Sequence, residues 1–398
     1  MTLYGAMQDF PLTTGHILDR MRRIYGDSEV VTLRSWSGAR PGETTRASYA
    51  EVVERSERLS AGLASLGVKA GDRVATFAWN SQEHLEAYTA VPAMGAVLHT
   101  LNIRLFAEQL VYIANHAEDQ VVIVDASLVE ALEPIASQLK TVRHFIVMGD
   151  GNAGSLPNAI GYEELLASQD PGFDYPDLEE SQAAGLCYTS GTTGNPKGVL
   201  YSHRSIVLHA VGAAMAESIG TSSVDRVLPI VPMFHANAWG LAHTAGLVGA
   251  DLVMPGPYLQ AEPLAALIES EQVTLAGGVP TVFMDLLRHA DENEVDLSSL
   301  RKVACGGSAV PLSLMKAWQE RHGVYIEQAW GMTEMSPLGT IARPPKDVEE
   351  QEAWAYRDSA GRVCPLVEAR IVADDGSEVD WDGEATGELE VRGPWIAA

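Results

Sequence analysis

An α/β fold of two doubly wound subdomains followed by a small β-barrel subdomain is what this sequence predicts, on three observations. Short continuous apolar runs alternate with amphipathic segments through most of the chain, the pattern of parallel strands covered on both faces by helices. A loosened stretch between Met148 and Ser190 divides that alternation in two, as a crossing between units would. After about Arg362 the helical periodicity stops, and short strands with Asp/Gly turns take over. At 398 residues the chain also exceeds what one hydrophobic core usually organises.

The elements follow in order. "ASYAEVVERSERLSAGLASLG" places Val52, Val53, Leu59, Leu63 and Leu66 on one side of a helix that stops at Gly67, a residue suited to a C-cap. A strand in "DRVATFAW" leads to a helix in "SQEHLEAYTAVPAMG", with Ser81 as its N-cap, and then to an apolar strand in "AVLHTLN". The helix "FAEQLVYIANHAE" and the buried-strand run "VVIVD" continue the alternation. Past the loosened stretch it resumes with the strands "VLPIVP", "DLVMPG", "VTLAGGVP" and "RKVACGG", each paired with a helix. These features predict subdomains at 1–184 and 185–361, with 362–398 as the start of the barrel. "GDGNAG", at 149–154, fits G-x-G-x-x-G after the strand-like "HFIVM". Pro157 follows closely and no helix opens on the glycines, so a surface turn is expected there rather than a dinucleotide site.

Composition narrows the function classes. The formal charge of -26, from 27 Lys+Arg against 53 Asp+Glu, repels nucleic acid and anionic lipid. No apolar run approaches the roughly 18 residues of a membrane span, and "MTLYGAMQDFPLTTGH" lacks the basic and apolar regions of a secretory leader. A cytoplasmic protein is expected. Cys187, Cys305 and Cys364 are isolated from one another and from histidines at zinc-like spacing, so they are expected to be reduced and structural.

Residues 188–199, "YTSGTTGNPKGV", carry the strongest chemical signal. The run is not a Walker A loop, because Gly198 rather than Ser or Thr follows Lys197. It still holds what a polyphosphate clamp needs: Gly191 and Gly194 to aim backbone N–H groups at an anion, hydroxyls from Thr189, Ser190, Thr192 and Thr193, and the Lys197 ammonium. It also follows an apolar strand, "GLCYT". A flexible Ser/Gly/Thr connector is the competing explanation, but it does not require the lysine and proline in this order.

This run resembles the phosphate-loop motif of the adenylate-forming enzymes, which include acyl-CoA synthetases, luciferases and peptide-synthetase adenylation domains. "VPMFHANAWG" (231–240), "QAWGMTE" (328–334) and "GELEVRGP" (387–394) resemble three further motifs of that family in the same order. The likeness extends over essentially the whole chain and is strongest to medium- and long-chain fatty acyl-CoA synthetases, whose large N-terminal domain it matches.

The resemblance implies roles. Thr189 and Glu334 would hold Mg²⁺, which keeps several waters and takes few protein ligands. Trp330, where most relatives carry tyrosine, would stack on adenine, while the backbone at Gln328 and Ala329 reads its edge. Thr333 would face the phosphates with Lys197. Gly307 and Ser308 would let the nucleotide approach the backbone. "GGSAV" departs from the G-x-S-x-G nucleophile elbow at Val310, which argues against a Ser308 nucleophile. His235 would line the acyl and adenylate cavity as a positioning group, and Trp239 would gate the acyl tunnel.

The implied reaction is ATP-dependent activation of a medium- to long-chain fatty acid to acyl-AMP and then, with CoA, to the thioester. A short, sulfur-containing or aryl acid, an amine acceptor, or a nucleotide-binding module without turnover are the alternatives. Relatives continue past the position of Ala398 into a ribose-binding aspartate, a hinge and a small domain with a catalytic lysine, so impaired overall turnover is expected of this chain alone. Dimerisation is expected by analogy with long-chain relatives.

Overall fold

In the computed structural model, which describes residues 3, 5–38, 42–189 and 195–398, the alternating pattern forms two sheet-based layers whose helices share a core. Ser190, Gly191, Thr192, Thr193 and Gly194, the middle of the predicted clamp, lie outside the described residues. Among the described residues, one sheet runs across its width as Ala159–Gly161, His144–Met148, Asp119–Asp125, Arg73–Phe77, Val97–Thr100, Ala183–Tyr188 and Gly198–Ser202. Its strands are parallel except for the last pair. The second runs as Arg362–Val363, Leu338–Ile341, Tyr325–Gly331, Lys302–Gly306, Leu275–Gly278, Arg226–Pro229, Asp251–Met254, Glu29–Ser35 and Glu43–Ser48. It is parallel through its centre and antiparallel at both edges. Glu368–Val372 and Glu388–Arg392 form a separate antiparallel pair.

Sheet membership does not follow a linear cut at 184/185. That cut falls inside the strand Ala183–Tyr188, which together with Gly198–Ser202 closes the edge of the first sheet. Glu29–Ser35, from the N-terminal part of the chain, instead pairs in parallel with Asp251–Met254 of the second sheet. Likewise Arg362–Val363 pairs with Leu338–Ile341 of the large sheet. Periodicity identifies a strand but not its partner, which long-range register decides. The local expectations fare better. Helix Tyr49–Ser65 stops just ahead of Gly67, whose φ is 86°, and the Ser81 hydroxyl accepts the His84 N–H at the start of helix Gln82–Ala93. Gly149 lies in a bend and Gly154 in a turn, and no helix opens on the glycines of 149–154.

Helix Gln82–Ala93 is buried along its whole length. Every polar group it carries inward therefore needs a partner. Arg34 grips Glu83 with two hydrogen bonds of 3.0 and 2.7 Å. Glu86 accepts from Arg55, Gln82 and the Tyr162 hydroxyl at 2.6–2.8 Å. Just before the helix, Asn80 donates to the carbonyls of Pro229 and Val231 and accepts the Met233 N–H, at 2.7–3.0 Å. Tyr88 donates to the Met233 carbonyl. The first unit thereby fixes the segment of the second that leads to His235.

Burial also sets an acid limit on the fold. Desolvation pushes His84, His203 and His243 down to about 4 and His209 to about 3, so all four are neutral in the native state at pH 7. Below about 6.5 the unfolded chain binds protons that the native chain refuses. The stability from keeping them neutral is complete above pH 6.5 and is lost as pH falls toward 4. Glu86, raised by burial to about 7, acts in the opposite sense, gaining stability as pH falls from 7. Asp119, also raised by burial, acts in the same sense as Glu86, but four histidines outweigh two carboxylates, so the urea midpoint should fall from pH 7 to 5, with net proton uptake on unfolding. A flat midpoint across that range would contradict the assignment.

Candidate active site

The site is built where parallel strands end. Thr189 follows Ala183–Tyr188, Leu101 follows Val97–Thr100, the segment to His235 follows Arg226–Pro229, Gly307 follows Lys302–Gly306, and Met332 to Glu334 follow Tyr325–Gly331. The crevice outside the carboxyl ends of strands is where open α/β sheets bind ligands, because loops diverge there and leave backbone groups free.

Two spaces share a wall. A wide cleft of about 660 Å³ is lined by Thr189, Lys197, His235, Gly307, Thr333 and Glu334, with Asn102 and Asn195 among its other polar groups. A narrower chamber of about 70 Å³ has Trp239, Ala304, Ala329, Trp330, Leu338 and Ile219 in its wall. His235, Gly307, Gly331, Met332 and Thr333 border both. A polar cleft that continues into an apolar pocket suits a ligand with an anionic end and a hydrocarbon end.

The two ends of the phosphate loop are joined by the Thr189 N–H bonding to the Lys197 carbonyl at 2.9 Å. Lys197 is exposed, and its ammonium has no ion pair among the described residues. Glu334 is half-buried, and its carboxylate has no partner among them either. The turn that carries it is gripped through its backbone instead: the Tyr201 hydroxyl donates to the Thr333 carbonyl at 2.7 Å, and the Ala397 N–H to the Glu334 carbonyl at 2.7 Å. Gly331 makes the turn possible, since a Cβ there would stand 1.9 Å from the Pro337 oxygen. No group of three or more acidic, histidine or cysteine side chains among the described residues forms a metal site. One hydroxyl and one carboxylate facing a phosphate-sized cleft nevertheless fit Mg²⁺, which takes most of its ligands from water and phosphate oxygens.

His235 and Trp239 are presented by an unusual turn. Ala236, Asn237, Ala238 and Trp239 all have positive φ, at 42°, 55°, 50° and 56°, and Gly240 follows at 73°. Left-handed helical backbone costs roughly 1–2 kcal/mol per non-glycine residue. Part of the offset comes from Asn237, whose side-chain oxygen accepts from the Cys187 thiol at 3.6 Å and lies 3.3 Å from the Tyr88 hydroxyl. Gly240 cannot change, because a Cβ would meet the His209 ring at 2.5 Å. His235 is exposed to the open cleft, yet its imidazolium is disfavoured, first by desolvation against the cleft wall and second by Arg104. The ring is neutral at pH 7, which suits packing and hydrogen bonding.

Three expected residues are placed differently. The Gln328 carbonyl accepts the Ala342 N–H at 2.8 Å, and its side chain ties Val310 N–H to the Ser359 carbonyl at 2.5 Å each. Sheet pairing and that clamp use Gln328 beneath the site, away from both spaces. Ser308 is exposed and lines neither. Trp330 lines the apolar chamber rather than the wide cleft, with its ring edge toward Gly339.

Comparison with known proteins decides the family. The AMP-binding enzyme model matches residues 22–398. The chain belongs to the AMP-binding enzyme family. It is 42% identical over 400 residues to a 3-methylmercaptopropionyl-CoA ligase of Ruegeria lacuscaerulensis, covering 99% of this chain and 73% of that one. It is also 42% identical over 400 residues to a medium-chain-fatty-acid–CoA ligase of Ectopseudomonas oleovorans, covering 99% and 72%. A crystal structure of a long-chain-fatty-acid–CoA ligase from Archaeoglobus fulgidus superposes with a TM-score of 0.84 at 24% identity, covering 100% of this chain and 78% of that one, a likeness of fold. Within the AMP-binding enzymes, these relatives place the chain among the acid–CoA ligases. Among the described residues, no helix is long and apolar enough to cross a membrane.

Proposed function

We propose that this chain carries the adenylating site of a fatty-acid–CoA ligase that takes medium- to long-chain acids. The observation that supports this best is the shared wall of the two spaces: Thr189, Lys197 and Glu334 face the polar cleft, and His235 and Gly307 lead from it into the apolar chamber. The carboxylate of the acid attacks the α-phosphorus of ATP, forming an acyl–O–P bond as the bond to the departing diphosphate breaks. The CoA thiolate then attacks the acyl carbon and AMP leaves. Both reactants in the first step are anionic, so fixed positive charge and donors aimed at the reacting phosphates lower the barrier.

Lys197 supplies an ammonium, and Thr189 and Thr333 supply hydroxyl donors at the cleft wall. Glu334 and Thr189 would hold magnesium, which supplies cationic charge where the transition state gains negative charge. His235, kept neutral, positions the acyl carboxylate without adding a proton-transfer step. The chamber takes the hydrocarbon end, and Trp239, half-buried in its wall, gates it. Trp239→Ala should broaden or lengthen acyl preference with little change in ATP dependence, and unchanged preference across a chain-length series would count against the gate.

A second reading has a specific observation behind it, the 42% identity to a 3-methylmercaptopropionyl-CoA ligase. A thioether acid has the same anionic and apolar ends. Acid-dependent exchange of labelled diphosphate into ATP, run with straight-chain acids of graded length and with methylthio acids, tests both. The fatty-acid reading predicts the highest kcat/KM for a straight-chain acid, and a higher value for a methylthio acid reverses the choice.

A further inference from the structure

The apolar chamber takes one wall residue from outside the strand ends and the His235 turn. Ile219 lies on the loop between helix His203–Ala214 and strand Arg226–Pro229. Its side chain is 2% exposed and contributes to the chamber's inner surface. Isoleucine branches at Cβ and is stiff about χ1, so it makes a firm wall if its backbone is held.

That backbone is held by buried charge. Glu327, fully buried in the strand Tyr325–Gly331, pairs with Lys302 at 2.7 Å and with Arg343 at 2.7 Å. The hydrogens these cations have left over go to the Ile219 loop. The Lys302 ammonium donates to the Ile219 carbonyl at 2.5 Å and to the Ser218 carbonyl at 3.3 Å. The Arg343 guanidinium donates to the Ser218 carbonyl at 2.9 Å and to the Ala216 carbonyl. Gly220, with φ of 71°, turns the chain away immediately afterward, and its N–H bonds back to the Ala213 carbonyl at 2.9 Å. Burying a carboxylate with two cations gains little stability over an apolar cluster of the same volume. What this cluster supplies is a fixed position: Lys302 and Arg343, both anchored on Glu327, hold the carbonyls of Ala216, Ser218 and Ile219 and so fix the backbone that carries the Ile219 side chain.

We propose that Ile219 is the end-stop of the acyl chamber and that the Lys302–Glu327–Arg343 cluster fixes its depth, so that this loop sets the longest acyl chain accepted without strain. The inference rests on the fatty-acid reading above and names a specificity-determining residue for it. Ile219 and Trp239 then act at different places, one limiting length and the other access.

The test is binding, which needs no turnover. Non-hydrolysable acyl-sulfamoyl adenosines with straight chains of graded length are titrated calorimetrically into the wild-type protein and into Ile219→Ala, Ile219→Val, Ile219→Phe and Lys302→Met, with AMP as the control ligand. Each buried methylene is worth about fourfold in affinity. Ile219→Ala should therefore move the tightest-binding chain longer by about two carbons and raise the long-to-short affinity ratio about 15-fold. Ile219→Phe should move the optimum shorter, and Lys302→Met should flatten the length dependence while AMP affinity stays within about twofold. If Ile219→Ala does not fold, Ile219→Val should still raise the long-to-short ratio about threefold. A wild-type length optimum that none of the Ile219 variants moves overturns the end-stop alone. Failure of the wild-type protein to bind any acyl analogue more tightly than AMP overturns the fatty-acid reading and the end-stop with it.

Discussion

Glu334→Gln should lower the rate of adenylate formation about 10²- to 10³-fold while the urea midpoint stays where it is. The size follows from removing one charge stabiliser from a site where charge develops in the transition state. The unchanged stability follows from the structure: the carboxylate has no partner among the described residues, and the Thr333–Glu334 turn is held through backbone carbonyls by Tyr201 and Ala397. Glutamine preserves the shape and removes the charge. Diphosphate-exchange kinetics beside a urea titration check both halves. A drop in stability equal to the loss of rate would make Glu334 a structural residue, and an unchanged rate would remove it from the chemistry.

Glu327→Ala has the largest expected effect on stability, about 3–5 kcal/mol. The side chain is completely buried between Lys302 and Arg343, and its removal strands the buried Lys302 ammonium beside the partly exposed Arg343 guanidinium. Burial already pushes Lys302 below its ordinary value, and Glu327 is what opposes that shift. Lys302→Met in the Glu327→Ala background should recover part of the loss by removing one stranded charge. The urea-derived stabilities of the single and double variants measure this coupling. Equal stabilities for Glu327→Ala and wild type would mean that the cluster is solvated and holds nothing in place.

The chemistry of this site lies close to the surface of the sequence because short contiguous runs carry it. Thr189 and Lys197 fall within twelve residues, Thr333 and Glu334 are adjacent, and His235 and Trp239 sit one turn apart. Each run ends a parallel strand, so an alternating strand–helix pattern is enough to gather them at one crevice. The fold class and the family follow from the same signals. What the sequence conceals is pairing at long range. Nothing in "EVVTLRS" says that it joins a strand more than two hundred residues later. Gln328 looks like a site residue because it stands beside Ala329, yet its carbonyl is taken up by Ala342 and its amide by Val310 and Ser359.

Asn80 and Tyr88 were equally invisible, because their task is to hold a backbone segment nearly 150 residues away. The left-handed turn at 236–239 does leave a signal in the sequence: Asn237 and Gly240 are residue types that tolerate positive φ. Ile219 had none. A single isoleucine in "ESIGTSS" gains its place only from the ion cluster behind it.

The most direct test of the account is a single-turnover reaction in which the protein, a saturating medium-chain acid and magnesium are mixed with α-labelled ATP in the absence of CoA, then quenched and resolved. The account predicts acid-dependent appearance of acyl-AMP, up to one per protein chain, with one diphosphate released for each. ATP recovered intact with every acid, or cleaved to ADP without acid, would contradict it.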